Sequence, residues 1–193
     1  MIPAPPALVL APREPVLVEI ARSGFEMKGT PFSRARLSLD VPGFRRAMAG
    51  PGLPGEDDMA KALRVLREGK VRFRIWQGWE IAVSGRRRRE FNLIVVNGLW
   101  PKGVPAAMQP SLQRFLALVD RDVDIGQQWE FEGGGGRSLR GRYNEEPWVE
   151  LGRGPMTALF VGLYFEGPGT LPGTRVDFRE GLHFLLEPPK PSR

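Results

Sequence analysis

A chain of 193 residues, 41% hydrophobic and 26% charged, is long enough to bury a core as one domain and has the composition of an ordinary globular protein. Lys and Arg total 28 against 22 Asp and Glu, for a net charge of +6, and all but five of the cations are arginine. No cysteine is present and there is one histidine, His183, which excludes disulfides, thiolate nucleophiles, iron–sulfur clusters and zinc sites built on Cys or paired His.

Residues 1–15 hold five prolines and read as an extended arm. The start lacks a basic n-region and no apolar run approaches the ~20 residues of a membrane helix, so a cytoplasmic protein is expected. From 16 to 186 the pattern is that of a single domain, and 187–193 is a Pro-rich tail. Val16, Val18 and Ile20 alternate with Leu17, Glu19 and Ala21, predicting a strand over 15–25. A second strand is predicted over 33–41, stopped by Pro42-Gly43, with a single helical turn over 44–49. Acidic residues 56–58 open a helix carrying Met59, Leu63 and Leu66 on one stripe, which Gly69 ends.

In the stretch 70–97, Val71, Phe73 and Ile75 alternate with Lys70, Arg72, Arg74 and Trp76, giving one apolar face and one basic, aromatic face. Gln77-Gly78 predicts a turn or bulge before the alternation resumes at Trp79, Ile81 and Val83. Arg86, Arg87, Arg88 and Arg89 then form the tip of a basic hairpin, with 91–96 as the returning strand. A second helix is expected over 111–121 behind Ser111, with Leu112, Phe115, Leu116 and Val119 as its stripe. A strand over 127–132 runs into Gly133–Gly136, which must either be mobile or press its backbone against something. Arg137, Arg140, Arg142 and Tyr143 follow as a basic loop, then strands over 147–151 and 157–165 and a strand-like segment over 175–186. Without regular βαβ alternation, the expectation is an α+β fold: a mainly antiparallel sheet of seven to nine strands with two helices packed on one face.

The chemistry of catalysis is sparse. His183 lies between Leu182 and Phe184 and reads as a core or boundary residue, and no Ser sits in a G-x-S-x-G elbow. Asp120, Asp122 and Asp124 begin like a calcium loop, but Ile125 stands where glycine is needed and Phe131 where the bidentate Glu belongs. Asp58, Glu68 and Lys70 imitate a metal nuclease only if Glu68 and Lys70 share a strand, which Gly69 opposes. Gly133–Gly136 lacks the order and the lysine of a phosphate loop. The chain is therefore expected to bind without catalysing, with no cofactor or metal. The basic faces point to single-stranded DNA or RNA, held by Lys70, Arg72, Arg74, Trp76, Arg86–Arg89, Arg137, Arg140, Arg142 and Tyr143, with cations tracking phosphates and rings stacking on bases. The competing expectation is a structural or assembly subunit of the phage or secretion type, a homo-oligomer gripping its neighbours through the terminal arms and the basic hairpin.

Overall fold

In the computed structural model, residues 14–27, 29–86, 90, 93, 96–97, 100, 102–165 and 172–187 are described. The strict alternation of Ala35, Leu37 and Leu39 with Arg34, Arg36 and Ser38 makes strand β2 (Thr30–Leu39), which pairs on one side with β1 (Val18–Met27) and on the other with β3 (Phe73–Trp79). The ladder continues through β4 (Gln128–Gly134), β5 (Arg137–Tyr143) and β6 (Val149–Gly152). Every strand pairs antiparallel with its sequence neighbour, in the order β1-β2-β3-β4-β5-β6.

Accompanying the sheet are the helices α1 (Val41–Ala49), α2 (Asp58–Arg67), α3 (Gln109–Val119), α4 (Pro155–Phe165) and α5 (Pro172–Leu186). Phe115 of α3 and Phe160 of α4 meet Phe131 of β4 at ring distances of 6.0 and 4.6 Å, which puts both helices on the sheet face carrying Leu37, Ile75, Phe131 and Leu139. Helix α5 lies on β1 so closely that a Cβ at Gly181 would stand 2.7 Å from the Ile20 carbonyl oxygen. Among the described residues, no helix is long and apolar enough to cross a membrane.

The α+β class, the antiparallel sheet and the helices over 58–67 and 109–119 agree with expectation, while among the described residues the sheet has six strands and more than two helices are present. The segment 137–143, expected as a basic loop, is strand β5, and three segments expected to hold strands are helical. Residues 155–165 are apolar on all sides because α4 is packed among α2, α5 and the sheet, and a short, uniformly apolar run has no period that separates strand from helix. Residues 172–186 are helical, with Phe178 and Leu182 buried four positions apart on one stripe. Between 85 and 97, Gly85, Arg86, Glu90, Leu93, Val96 and Asn97 are all helical, so the basic hairpin does not exist at any described position. Val83 makes only an isolated bridge with Val123.

Two proline and glycine readings also change. Pro42-Gly43 starts α1 instead of stopping a strand, because Pro fits the first helical turn, and Asp40 caps it by accepting from the Gly43 amide at 2.9 Å. Gln77-Gly78 continues β3 without a break; a Cβ at Gly78 would lie 2.4 Å from the Trp76 ring, so the glycine leaves room for an indole folded along the strand. Of the two alternatives for Gly133–Gly136, close approach holds: they form the β4–β5 connection, and a Cβ at Gly134 (φ +79°) would fall 1.9 Å from the Val71 carbonyl oxygen.

Candidate functional site

The face of the sheet away from the helices carries the cations that sequence patterning picks out. Register places Arg74 beside Glu132 and Glu132 beside Arg140, and in the next row Arg36, Trp76, Glu130 and Arg142 follow one another across four strands. The two carboxylates in these rows are bonded to their cationic neighbours. Glu132, 2% exposed, accepts from Arg72 Nε at 2.6 Å and Arg74 Nη2 at 2.9 Å, and Arg140 stands 3.5 Å away. Arg142 donates twice to Glu130, at 2.9 and 2.7 Å. Burial alone pushes the Glu132 carboxyl up, but hydrogen bonds from Arg74 and Arg72 outweigh it and hold the group below the ordinary carboxylate range.

The aromatics are engaged in the same lattice. Trp76 donates its indole N–H to Gln128 Oε1 at 2.6 Å and lies under the Arg36 guanidinium at 4.4 Å, while Arg140 and Arg142 stack on Trp148 at 4.6 and 4.8 Å. Tyr143 faces the other way, buried against Trp129, with its hydroxyl bonded to Gln127. Lys70 pairs with Glu68 at 2.6 Å and Arg137 with Glu14 at 2.9 Å. Arg86 pairs with Glu90 one helical turn on, and Arg87, Arg88 and Arg89 lie outside the described residues.

The other candidate groups do not converge. Asp58 and Glu68 sit at opposite ends of α2, about 15 Å apart at 1.5 Å per residue, so one metal ion cannot bridge them. Asp120 ends α3, and Asp122 accepts the Gly85 amide at 2.6 Å. His183 is exposed on α5 and is not a core residue.

A different constellation lies under the helices, where sequence analysis singled out nothing. Register sets Ser23, Ala35 and Gln77 side by side on β1, β2 and β3, with Phe25, Ser33 and Trp79 in the adjoining row. Ser23 and Ser33 are 5% and 3% exposed, buried hydroxyls in a layer otherwise formed by Leu37, Leu39, Ile75 and aromatic rings. From α4, Tyr164 packs on Phe160 and stacks on Phe178 of α5, and its hydroxyl donates to Gln77 Oε1 at 2.7 Å. The Gln77 amide nitrogen has no protein partner among the described residues. Directly opposed side chains on neighbouring strands stand about 5 Å apart, so Ser23 and Gln77 lie about 10 Å from each other across Ala35, with Phe25, Ser33 and Trp79 in the next row. The one sequence signal was Ser33, a small polar residue on the side of Ala35, Leu37 and Leu39; Ser23 is brought to this face by the register shift between Glu19 and Ala21.

No protein-family model matches the chain and no curated protein matches it. Among solved structures, its fold is similar to that of a fatty-acid binding protein of Arabidopsis thaliana, AtFAP1, known from a crystal structure: TM-score 0.66 with 12% identity, over 89% of this chain and 91% of that one. This likeness, together with guanidinium groups already bonded to carboxylates on the outer face, overturns the reading as a binder of single-stranded DNA or RNA. The assembly-subunit alternative falls with it, since the protruding basic hairpin it needed is helical wherever it is described. What stands is a fold shared along nearly its whole length with a protein named for binding a fatty acid.

Proposed function

We propose that the protein is a non-catalytic binder of a fatty-acid-class ligand, held between the inner face of β1–β3 and helices α4 and α5. The observation that carries the reading is Gln77. It stands in an apolar layer on a central strand, gives its carbonyl oxygen to Tyr164 and keeps its amide N–H groups without a protein partner among the described residues. Gln77 is half-buried, and its amide can donate to an acceptor such as the oxygen of a carboxyl head. Ala35 separates Gln77 from Ser23 across the sheet, and Ser33 stands in the next row, opposite Trp79. The whole-length likeness to a fatty-acid binding protein supports the same ligand class.

The test is displacement of a fluorescent fatty-acid analogue from delipidated protein by unlabelled acids of eight to eighteen carbons. Displacement at micromolar concentrations, weakened at least about tenfold by Gln77→Leu with the fold intact by circular dichroism, is the expected result; tenfold is the ~1.4 kcal/mol of one good hydrogen bond. Absence of displacement at every chain length up to the solubility limit removes the proposal.

A further inference from the structure

Far from the Gln77 patch, at the end of the sheet where β2 finishes, β3 begins and β4 turns into β5, lies an open cleft of about 540 Å³. Four cations line it: Arg46 from α1, Lys70 and Arg72 ahead of β3, and Arg137 at the start of β5. Among the described residues its lining acid is Asp40, which is occupied in capping α1. The close approach of Gly134 to Val71 seats the β4–β5 turn here, which brings Gly135 into the wall and Arg137 to the rim.

Two features mark the cleft as more than a solvated basic edge. Arg72 is only 5% exposed, and Glu132 fixes it from the sheet side at 2.6 Å, so its guanidinium is presented in one orientation. Across its open side runs Glu14, just before Pro15 of the cleft wall: one carboxylate oxygen accepts from Arg72 at 3.1 Å and the other from Arg137 at 2.9 Å. A carboxylate thus already bridges two lining guanidiniums, and it is carried on a short segment ahead of β1, 63% exposed. Arg46, from α1, has no acidic partner among the described residues.

We infer that this cleft is a binding site for a small carboxylate anion, and that Glu14 is its internal occupant, displaced when an external carboxylate bridges Arg72 and Arg137 while Arg46 takes its remaining charge. The bridging geometry suits a planar group with two oxygens, and the guanidinium fork favours that shape. The hydrogen bonds from Arg137 and Arg72 keep Glu14 ionised below the usual carboxylate range, so the internal occupant competes over the whole neutral range. The site is independent of the proposed lipid site: Arg72 and Gln77 are five residues apart along an extended chain, about 16 Å.

The experiment is an amide-resolved NMR titration of the full chain, following Gly43, Arg46 and Gly135, with succinate and separately with inorganic phosphate at constant ionic strength, and with chloride as control. Saturable shifts with succinate are expected, tightened about tenfold by Glu14→Gln and weakened about tenfold by Arg46→Ala. Arg46 is exposed and without an acidic partner, so its loss leaves the unfolding midpoint unchanged. Saturation by phosphate more tightly than by succinate, with the same response to Glu14→Gln, overturns the carboxylate assignment. Shifts equal to those in chloride, or indifferent to both substitutions, overturn the site.

Discussion

The two faces of the sheet solve the problem of polar groups in opposite ways. On the outer face, charge is abundant and closed on itself: one buried carboxylate, Glu132, gathers Arg72 and Arg74 with Arg140 beside them, and Glu130 holds Arg142. On the inner face, polarity is scarce and uncharged: Ser23, Ser33 and a half-buried Gln77 whose amide nitrogen lacks a protein partner among the described residues. Counting cations points to the first face as a binding surface, but what a surface offers a ligand is what its own neighbours leave over. By that measure the neutral patch has more to give than the charged lattice.

The comparison is sharpened first by asking what each face contributes to stability. Phe160 is 1% exposed and touches Phe115, Phe131 and Tyr164, so Phe160→Ala should destabilise by about 4 kcal/mol, as large aromatic-to-small core changes do. Urea unfolding measures this. The outer face answers with Glu132→Gln, which leaves Arg72 buried beside a neutral amide and should cost about 3 kcal/mol. Replacing Arg72 and Glu132 together with Met should recover much of that loss, because the penalty comes from the stranded charge and Arg74 and Arg140 reach water. The pH dependence carries the same signature. Glu132 is depressed in the folded state, so its contribution is complete above the ordinary carboxylate value of 4.5 and is lost as pH falls through the lower folded value. Acid unfolding below pH 4.5 should therefore be shallower in Glu132→Gln; an unchanged acid profile would detach Glu132 from the stability of the lattice.

How much of this was legible beforehand follows from the same physics. Period-two alternation marked β2 and β3 because one side of each strand meets the core and the other meets water. It could not mark α4, where every side is buried and the period vanishes, nor place the strand-like 175–186 in a helix on β1. The cations of 70–76 and 137–142 were visible in the sequence, but their partners were not: Glu132 lies 60 residues from Arg72 and meets it only through strand register. For the same reason the Ser23–Gln77 row is invisible in a linear reading, since 54 residues separate its ends.

A smaller effect probes the inner face alone. Tyr164→Phe removes one hydroxyl from Gln77 while keeping the ring between Phe160 and Phe178, and should cost about 1 kcal/mol of stability. If the patch is a head-group site, ligand affinity should fall in the same variant, and a double-mutant cycle with Gln77→Leu should show coupling close to the whole single-mutant effect. Additive losses would mean that Tyr164 and Gln77 act apart.

The smallest effect is the one that separates an ordered charged lattice from mere solvation. Arg36 is exposed and stacks over Trp76 at 4.4 Å, with its neighbours in the row being Arg22, Trp76 and, beyond it, Glu130. An exposed cation–π contact is worth about 0.5–1 kcal/mol, so Arg36→Ala should shift the unfolding free energy by no more than that and Arg36→Lys by less. Salt discriminates the cause. A contact of a guanidinium with a ring face persists where screening weakens exposed ion pairs, so the Arg36→Ala difference should survive 0.5 M NaCl. Loss of the difference in salt would make Arg36 one more solvated charge, and would confine the ordered part of the outer face to the strands that Glu130 and Glu132 tie together.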